Sequence, residues 1–410
     1  MQWNARTLLQ ITGKTVLLPN IFFGLGEGAV IPIIPLFATQ SGAGLAVAAL
    51  AAAMLTLGEL VGSVPAGWLV SRIGEQNGMY WAALISATGS IVCWVSPHIG
   101  VLIVGVFLIG LSSAMFALAR HSFITVVVPL SHRGRGLSLM GGSSRLGILV
   151  GPFISAVVIH ATGNVRPAWA IPVCASVAIA LTLRFCSNDD DLDRTDDGAP
   201  AADSSETGRI WETFKSRRDV LVRVGLAAGL INTMRISRQI IVPLIGVTLA
   251  LAPATITTFV GICATIDFAL FYVGGQLMDR FGRLWVAIPT MLAFAASHVV
   301  LAMVGDLDHP IPWYVGAAVL MSVGNGVTTG IVAAMGSDLA DRRAPAAFLG
   351  SWRLITQLGP AGAPFVISLL TGLFSVAVAT FAMAGTSIVG ALALIRYVPR
   401  YLPKSPGRHR

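Results

Sequence analysis

Along this chain, long apolar runs alternate with short polar ones. The runs lie near 15–38, 44–70, 78–97, 100–128, 137–161, 168–185, 221–248, 254–279, 285–304, 312–337, 346–371 and 374–396. Each is about twenty residues long or more, enough at 1.5 Å per residue to cross roughly 30 Å of hydrocarbon. Lipid offers no partner to a bare peptide group, so spanning segments are helices or closed barrels. Barrel strands alternate apolar and polar positions over about ten residues. These runs are longer and nearly uncharged, which selects helices. Composition agrees: the chain is 55% hydrophobic and 11% charged, against about 25% charged in a soluble domain. The expected fold class is an all-α membrane protein of twelve transmembrane helices.

A net charge of +8 could suggest nucleic acid, but its distribution does not. With the N-terminus inside, the outer loops hold a single Lys or Arg, Arg166. The inner loops and tails hold Arg6, Lys14, Arg72, Arg133, Arg135, a central cluster, Arg280, Arg283, Arg342, Arg343 and the C-terminal group. Positive residues stay inside, so the basic excess sets topology rather than a partner. The expectation is a multi-pass protein of the bacterial inner (plasma) membrane with both termini cytoplasmic. The first apolar run has full span length and no small-residue cleavage pattern, so it reads as helix 1 rather than a cleaved signal. Cys93, Cys174, Cys186 and Cys263 show no metal spacing and no disulfide framework.

The period breaks once. Between Asn188 and Thr207 the chain carries Asp189, Asp190, Asp191, Asp193, Asp196 and Asp197 among Gly, Pro, Ala and Ser. Such a stretch cannot bury apolar area and reads as a solvated tether. Trp211–Arg218 has the pattern of a short surface helix. The expected organisation is a six-helix bundle over 1–186, a cytoplasmic linker over 187–219, a second bundle over 220–397 and a tail over 398–410.

The two bundles repeat one design. Adding 208 carries Pro35-Leu36 onto Pro243-Leu244, and Gly67, Leu69, Arg72 and Gly74 onto Gly275, Leu277, Arg280 and Gly282. It also carries Gly142-Ser143-x-Arg145-Leu146 onto Gly350-Ser351-x-Arg353-Leu354, and Gly151-Pro152 onto Gly359-Pro360. One register kept across helices 1, 2 and 5 marks a duplication. Parallel six-helix repeats are how transporters build a site between halves that rock.

On these residues the chain resembles the major facilitator superfamily. That family's signature after helices 2 and 8 is Gly-x-Leu-x-Asp-Arg-x-Gly-Arg. The second copy matches in full with Gly275, Leu277, Asp279, Arg280, Gly282 and Arg283. The first keeps Gly67, Leu69, Arg72 and Gly74 but has Ser71 for Asp and Glu75 for the last Arg. The resemblance implies two pseudo-symmetric six-helix bundles and an inner gate in which the motif's Asp contacts a helix N-terminus of the other half. Asp279 should then latch more strongly than Ser71, because a carboxylate suits the positive end of a helix. Helix 5 is also similar to the family's antiporter signature through Arg145, Gly147, Gly151 and Pro152, with Ser155 and Ala156 in place of its last glycines. Two other patterns stay weak. Gly13-Lys14-Thr15 lacks the first glycine of a phosphate loop, and Gly24-x-Gly26-x-Gly28 on a membrane helix reads as close packing.

Charge within the spans is segregated. Helices 3, 6, 9 and 12, which the family places at the periphery facing lipid, carry no ionisable group except His298. The others carry Glu27, Glu59, Arg120, Arg145, Arg235, Arg238, Asp267 and Arg353. Each costs roughly 2.5–3.5 kcal/mol at the bilayer centre and so needs a partner or a wet cavity. Glu27 and Arg235 occupy equivalent positions, as do Glu59 and Asp267. Glu27 lies roughly 18–20 Å along helix 1, near the midplane, where a carboxyl whose surroundings alternate can load and release a proton. The plainer reading is a fixed ion pair with Arg235 or Arg238, which share one face of helix 7. Arg235 and Arg238 are expected to hold Glu27 in one state and release it in another. Glu59 and Asp267 are candidates for a second proton or cation site, and Asn325 completes the polar set. Arg145 and Arg353 lie nearer the inner end, where snorkelling or pairing is the simpler role.

The sequence therefore points to a proton-coupled antiporter that exports small organic molecules or drugs. The rival is a proton symporter importing a small, possibly anionic, metabolite. A third reading, a sensor or membrane enzyme without transport, finds no catalytic constellation. The expected partners are a small-molecule substrate, protons and the bilayer, with no nucleic acid, no metal, no cofactor and a monomeric state.

Overall fold

A computed structural model describes residues 12–128, 130–186, 215–340 and 345–401. Most of the expected linker, the start of the surface helix at Trp211 and all but the first residues of the expected tail lie outside the described residues. Among the described residues, twelve helices are long and apolar enough to cross a membrane. They are α1 (Gly13–Gln40), α2 (Leu45–Ile73), α3 (Glu75–Val95), α4 (Ile99–Val127), α5 (Leu130–Thr162), α6 (Ala170–Cys186), α7 (Arg218–Thr248), α8 (Pro253–Phe281), α9 (Arg283–Met303), α10 (Pro310–Leu339), α11 (Pro345–Leu373) and α12 (Val376–Tyr401). The protein is an all-α membrane protein.

Contacts divide the chain into two compact units. The first holds α1–α6 and the opening of α8, Ala252–Gly261; the second holds α7, the rest of α8 and α9–α12. Within the first, α1 packs on α5 and α6, α2 on α4, and α3 on α4 and α6. Within the second, α7 packs on α11 and α12, and α9 on α10 and α12, while Gly274 and Gly326 bring α8 against α10. Each pairing in one unit has its counterpart in the other, as the 208-residue repeat requires.

Two local rules shape the units. Gly74 and Gly282 end α2 and α8 with φ of +81° and +93°, a region that side chains avoid. This is why both copies of the signature keep that glycine while other positions drift. The second rule is the α1–α5 seam. Gly24 and Gly28 lie against the backbone of α5 at Ser144 and Ile148, and Gly147 and Gly151 against that of α1 at Ile21 and Leu25. In lipid there is no hydrophobic drive between helices, so such close approach supplies the packing. A Cβ on Gly28 would stand 2.5 Å from the Ile148 carbonyl oxygen. Gly28→Val should therefore destabilise by about 1–3 kcal/mol or more. Gly142→Ala, whose Cβ meets nothing within 4 Å, should be nearly silent. Thermal midpoints of the purified proteins check this.

α10 departs from the uninterrupted helix expected over 312–337. It breaks at Thr328–Gly330, where Gly330 takes φ +83°. Side chains add hydrogen bonds there: Thr328 Oγ1 donates to Gly324 O at 2.7 Å and Thr329 Oγ1 to Asn325 O at 2.9 Å. The only sequence signal was a Thr-Thr-Gly run inside an apolar stretch.

Candidate functional site

In the first unit, a polar network lies among α1, α4 and α5. Asn20 Nδ2 donates to Met140 O at 2.5 Å and to Ser143 Oγ at 2.7 Å. The Arg120 guanidinium donates to Asn20 Oδ1 and, at 3.5 Å, to Ser144 Oγ. Its charged end stands 5.8 Å from the Phe116 ring, which stacks flat on Phe23 at 4.1 Å. Arg120 is also the cation whose field reaches Glu27. Glu27 itself, partly buried on α1, lines a small cavity inside this unit. The walls include Phe23 and Val30 from α1, Leu55 from α2, Ser86 from α3, Ser113 from α4 and Ser176 from α6. α3 and α6, which the family resemblance places at the periphery facing lipid, thus also contribute polar groups to the interior of this unit. Serine is too common in membrane helices to have signalled this.

In the second unit, the seat of charge is Arg238. Its Nη2 lies 2.5 Å from Asp267 Oδ2, and its Nη1 lies 3.3 Å from Oδ1 and 2.7 Å from Ser322 Oγ. Both side chains are largely buried, at 12% and 18% exposure. Asn325 Nδ2 donates to the same Oδ2 at 2.9 Å, and Asn325 Oδ1 is buried with no protein hydrogen bond. Arg235, one turn earlier, donates Nη2 to Thr328 O at 2.5 Å and to Thr328 Oγ1 at 3.3 Å. That carbonyl, at the break in α10, also accepts from Ile331 N–H at 3.1 Å. Arg235, Arg238, Asp267 and Asn325 are thus one connected cluster on α7, α8 and α10.

Arg235 and Arg238 thus have partners within their own unit. In this structure Arg238 is held by Asp267 and Arg235 by Thr328, and the arginine acting on Glu27 is Arg120. The reason is geometric. The i,i+3 spacing shows that two arginines share a helix face, whereas their partners depend on which neighbouring helix that face meets. Glu59, partly buried on α2, and Arg145, partly buried on α5, are both engaged in interactions; Arg353 is exposed.

His298, left unexplained by a lipid-facing reading of helix 9, is fully buried. Its Nδ1 faces Phe294 O at 2.7 Å and its Nε2 faces Ser237 Oγ at 2.7 Å. A carbonyl can only accept, so Nδ1 carries the proton and Nε2 accepts from the serine. It ties α9 to α7.

At the signature loops, the two copies differ. Arg283 Nη1 lies 2.9 Å from Asp279 Oδ1 and its Nε 3.1 Å from Asp338 Oδ2, tying the α8–α9 turn to the end of α10. Asp279 remains 78% exposed, and its carboxylate pairs with the guanidinium one turn on. In the first copy, Ser122 Oγ donates to Glu75 Oε1 at 2.8 Å, Ser71 Oγ donates to Trp68 O at 2.9 Å, and Arg72 stacks 4.2 Å over Trp68. Arg280 stands 5.3 Å over Phe281, and Gly67 and Gly275 lie in the last turns of α2 and α8. Pro152 lies within α5, beside its Gly147/Gly151 seam.

Twelve apolar helices in two like-built units, each holding ionisable groups in its interior, define a polytopic membrane protein of duplicated design. The chain belongs to the Major Facilitator Superfamily: that family's sequence model matches residues 16–266 and 233–410. It is similar to human "Solute carrier family 2, facilitated glucose transporter member 12", 29% identical over 133 residues that cover 31% of this chain and 21% of that protein. It is also similar to "Multidrug resistance protein 2" of Bacillus subtilis, 27% identical over 143 residues that cover 33% of this chain and 34% of that protein. These matches span only about a fifth to a third of the relatives' lengths. Among solved structures, a POT family transporter crystallised with a thioalcohol conjugated peptide superposes with a TM-score of 0.74 at 13% identity, covering 96% of each chain. At that identity the likeness is one of fold.

Proposed function

We propose that this protein is a secondary active transporter that exports small organic compounds, driven by protons entering the cell. The observation that carries this reading is Glu27: an acid inside the membrane portion of the first unit, with Arg120 as its electrostatic neighbour, lining a cavity rather than closed in a fixed ion pair. A carboxyl with room around it can change protonation, and a guanidinium within reach can answer that change. The second unit supplies the recognition chemistry. Asn325 Oδ1 offers a buried acceptor beside the Arg238–Asp267 pair, suited to a ligand N–H or O–H. The glycine seam lays the antiporter-like segment of α5 directly on α1, so movement of Glu27 and of α5 are mechanically joined. The bacterial multidrug relative supports export. The positive-inside pattern supports an inner-membrane protein with cytoplasmic termini.

Import of a polar metabolite by symport is the second reading, favoured by the arginine pair on α7 and the glucose-transporter relative. Everted vesicles separate the two. With respiration-energised vesicles and a panel of probes such as ethidium, an exporter's substrate releases protons from the lumen, while a symporter's substrate shows no such release. Absence of release across drugs, together with proton-coupled uptake of a sugar or acid into right-side-out cells, would overturn the proposal.

A further inference from the structure

The cavity beside Glu27 contains more chemistry than the carboxyl. Ser86, Ser113 and Ser176 reach its wall from three different helices. All are more than nine-tenths buried, at 7%, 7% and 3% exposure. A buried helical serine ordinarily donates back to a carbonyl of the preceding turn, as Ser112 does to Ile109 O at 2.7 Å and Ser143 to Met140 O at 2.9 Å. Among the described residues the hydroxyls of Ser86, Ser113 and Ser176 make no such bond, and all three residues line the cavity. One turn along α3 from Ser86, Ser90 Oγ is also buried without a partner. A hydroxyl without a protein partner needs another one, so three converging on one space point to a guest.

The size and donor set identify the guest. The space admits roughly one water molecule. Water forms up to four hydrogen bonds, and one carboxyl with three hydroxyls offers four partners. The set also works in both protonation states. With Glu27 ionised, the guest water donates to the carboxylate and to one serine and accepts from the other two. With Glu27 protonated, its O–H donates to the water, and one serine turns from donor to acceptor by rotating its hydroxyl hydrogen. Of the helices packed around the carboxyl, α4 brings Arg120, while α2 carries Glu59 and α5 carries Arg145; α3 and α6 bring no charge to the cavity wall.

We propose that the first unit contains an internal water site formed by Ser86, Ser113 and Ser176, and that protons reach and leave Glu27 through it. The step balances simply: a proton on the guest, as hydronium, passes to a Glu27 carboxylate oxygen, giving the acid and neutral water, and release reverses it. This deepens the proton-coupled reading and rests on it. It adds that proton access runs through the interior of one six-helix unit.

The test needs no substrate. Protonation of Glu27 in the purified full-length protein is followed by its infrared carbonyl band after a rapid pH jump, with the band assigned by its loss in Glu27→Gln. The Ser86→Ala/Ser113→Ala/Ser176→Ala variant should protonate at least about tenfold more slowly. Ser113→Ala alone should slow it less, and Ser113→Thr, which restores a hydroxyl, should recover most of the rate. If the triple variant does not fold, the Ser113→Ala and Ser113→Thr pair decides. A wild-type rate in the alanine variants overturns the water site. So does Na⁺-dependent thermal stabilisation at constant ionic strength that vanishes with the serines, which would make the guest a metal cation. Either result leaves the functional proposal intact, since that is decided by substrate-dependent proton release from everted vesicles.

Discussion

Glu27→Gln is expected to abolish proton-driven, uphill transport while substrate exchange without a gradient survives. Glutamine keeps the size and one acceptor of the acid but cannot change protonation. Any coupling that passes through residue 27 must then fail, whatever happens to binding. Proton coupling lost with exchange intact would appear, in everted vesicles, as ethidium equilibration without proton release. The structure sharpens the outcome by naming the second group. Arg120 is the cation acting on Glu27, and it is anchored through Asn20 and Ser144. In Glu27→Gln the guanidinium loses a charge to answer but keeps those anchors, so the protein should remain folded. Asn20→Ala, by contrast, removes one anchor of the guanidinium and should move the pH optimum of transport without abolishing it. Full proton-coupled transport by Glu27→Gln would remove Glu27 from the mechanism.

Breaking the Arg238–Asp267 pair on one side should cost more stability than any surface change in the protein. The pair is bidentate, largely buried and bonded to Ser322 and Asn325. Removing one partner strands the other's charge away from water, a loss of about 3–5 kcal/mol. Asp267→Asn and Arg238→Gln should each lower the thermal midpoint in detergent strongly. The double variant should recover much of the loss, because neutral side chains strand no charge. By comparison, Arg283→Gln at the α8–α9 turn breaks two ion pairs but should change the midpoint little, since Asp279 there is mostly exposed and exposed pairs contribute about 0–1 kcal/mol. Three equal midpoints would mean that the buried pair is hydrated.

Part of this was legible without coordinates. Gly24/Gly28 and Gly147/Gly151 read as small faces that permit close packing, and they meet each other. The duplication read from Gly67 to Gly74 and from Gly275 to Gly282 reappears as matched helix pairings in the two units, and the second glycine of each motif has the positive φ that demands it. Arg120 was legible as a buried charge, but nothing in the chain linked it to Glu27, some ninety residues away. The partners of Arg235 and Arg238 within their own unit were hidden for the same reason. Helical spacing reveals which residues share a face and is silent on which helix that face meets. The serines of the Glu27 cavity carry no signal at all, since a helical serine normally spends its hydroxyl on its own backbone.

What the amino-acid order determined by itself was the solvent and the plan: twelve spans, a duplicated design and an uneven distribution of charge. Those follow from hydropathy and periodicity, which act locally and leave their mark in every window of the chain. The tertiary structure decided the partners. It gave Arg238 to Asp267, Arg235 to a carbonyl at the break in α10, and Glu27 to a cavity shared with three serines. Buried polar groups must find partners within a few ångströms, and only packed helices set those distances.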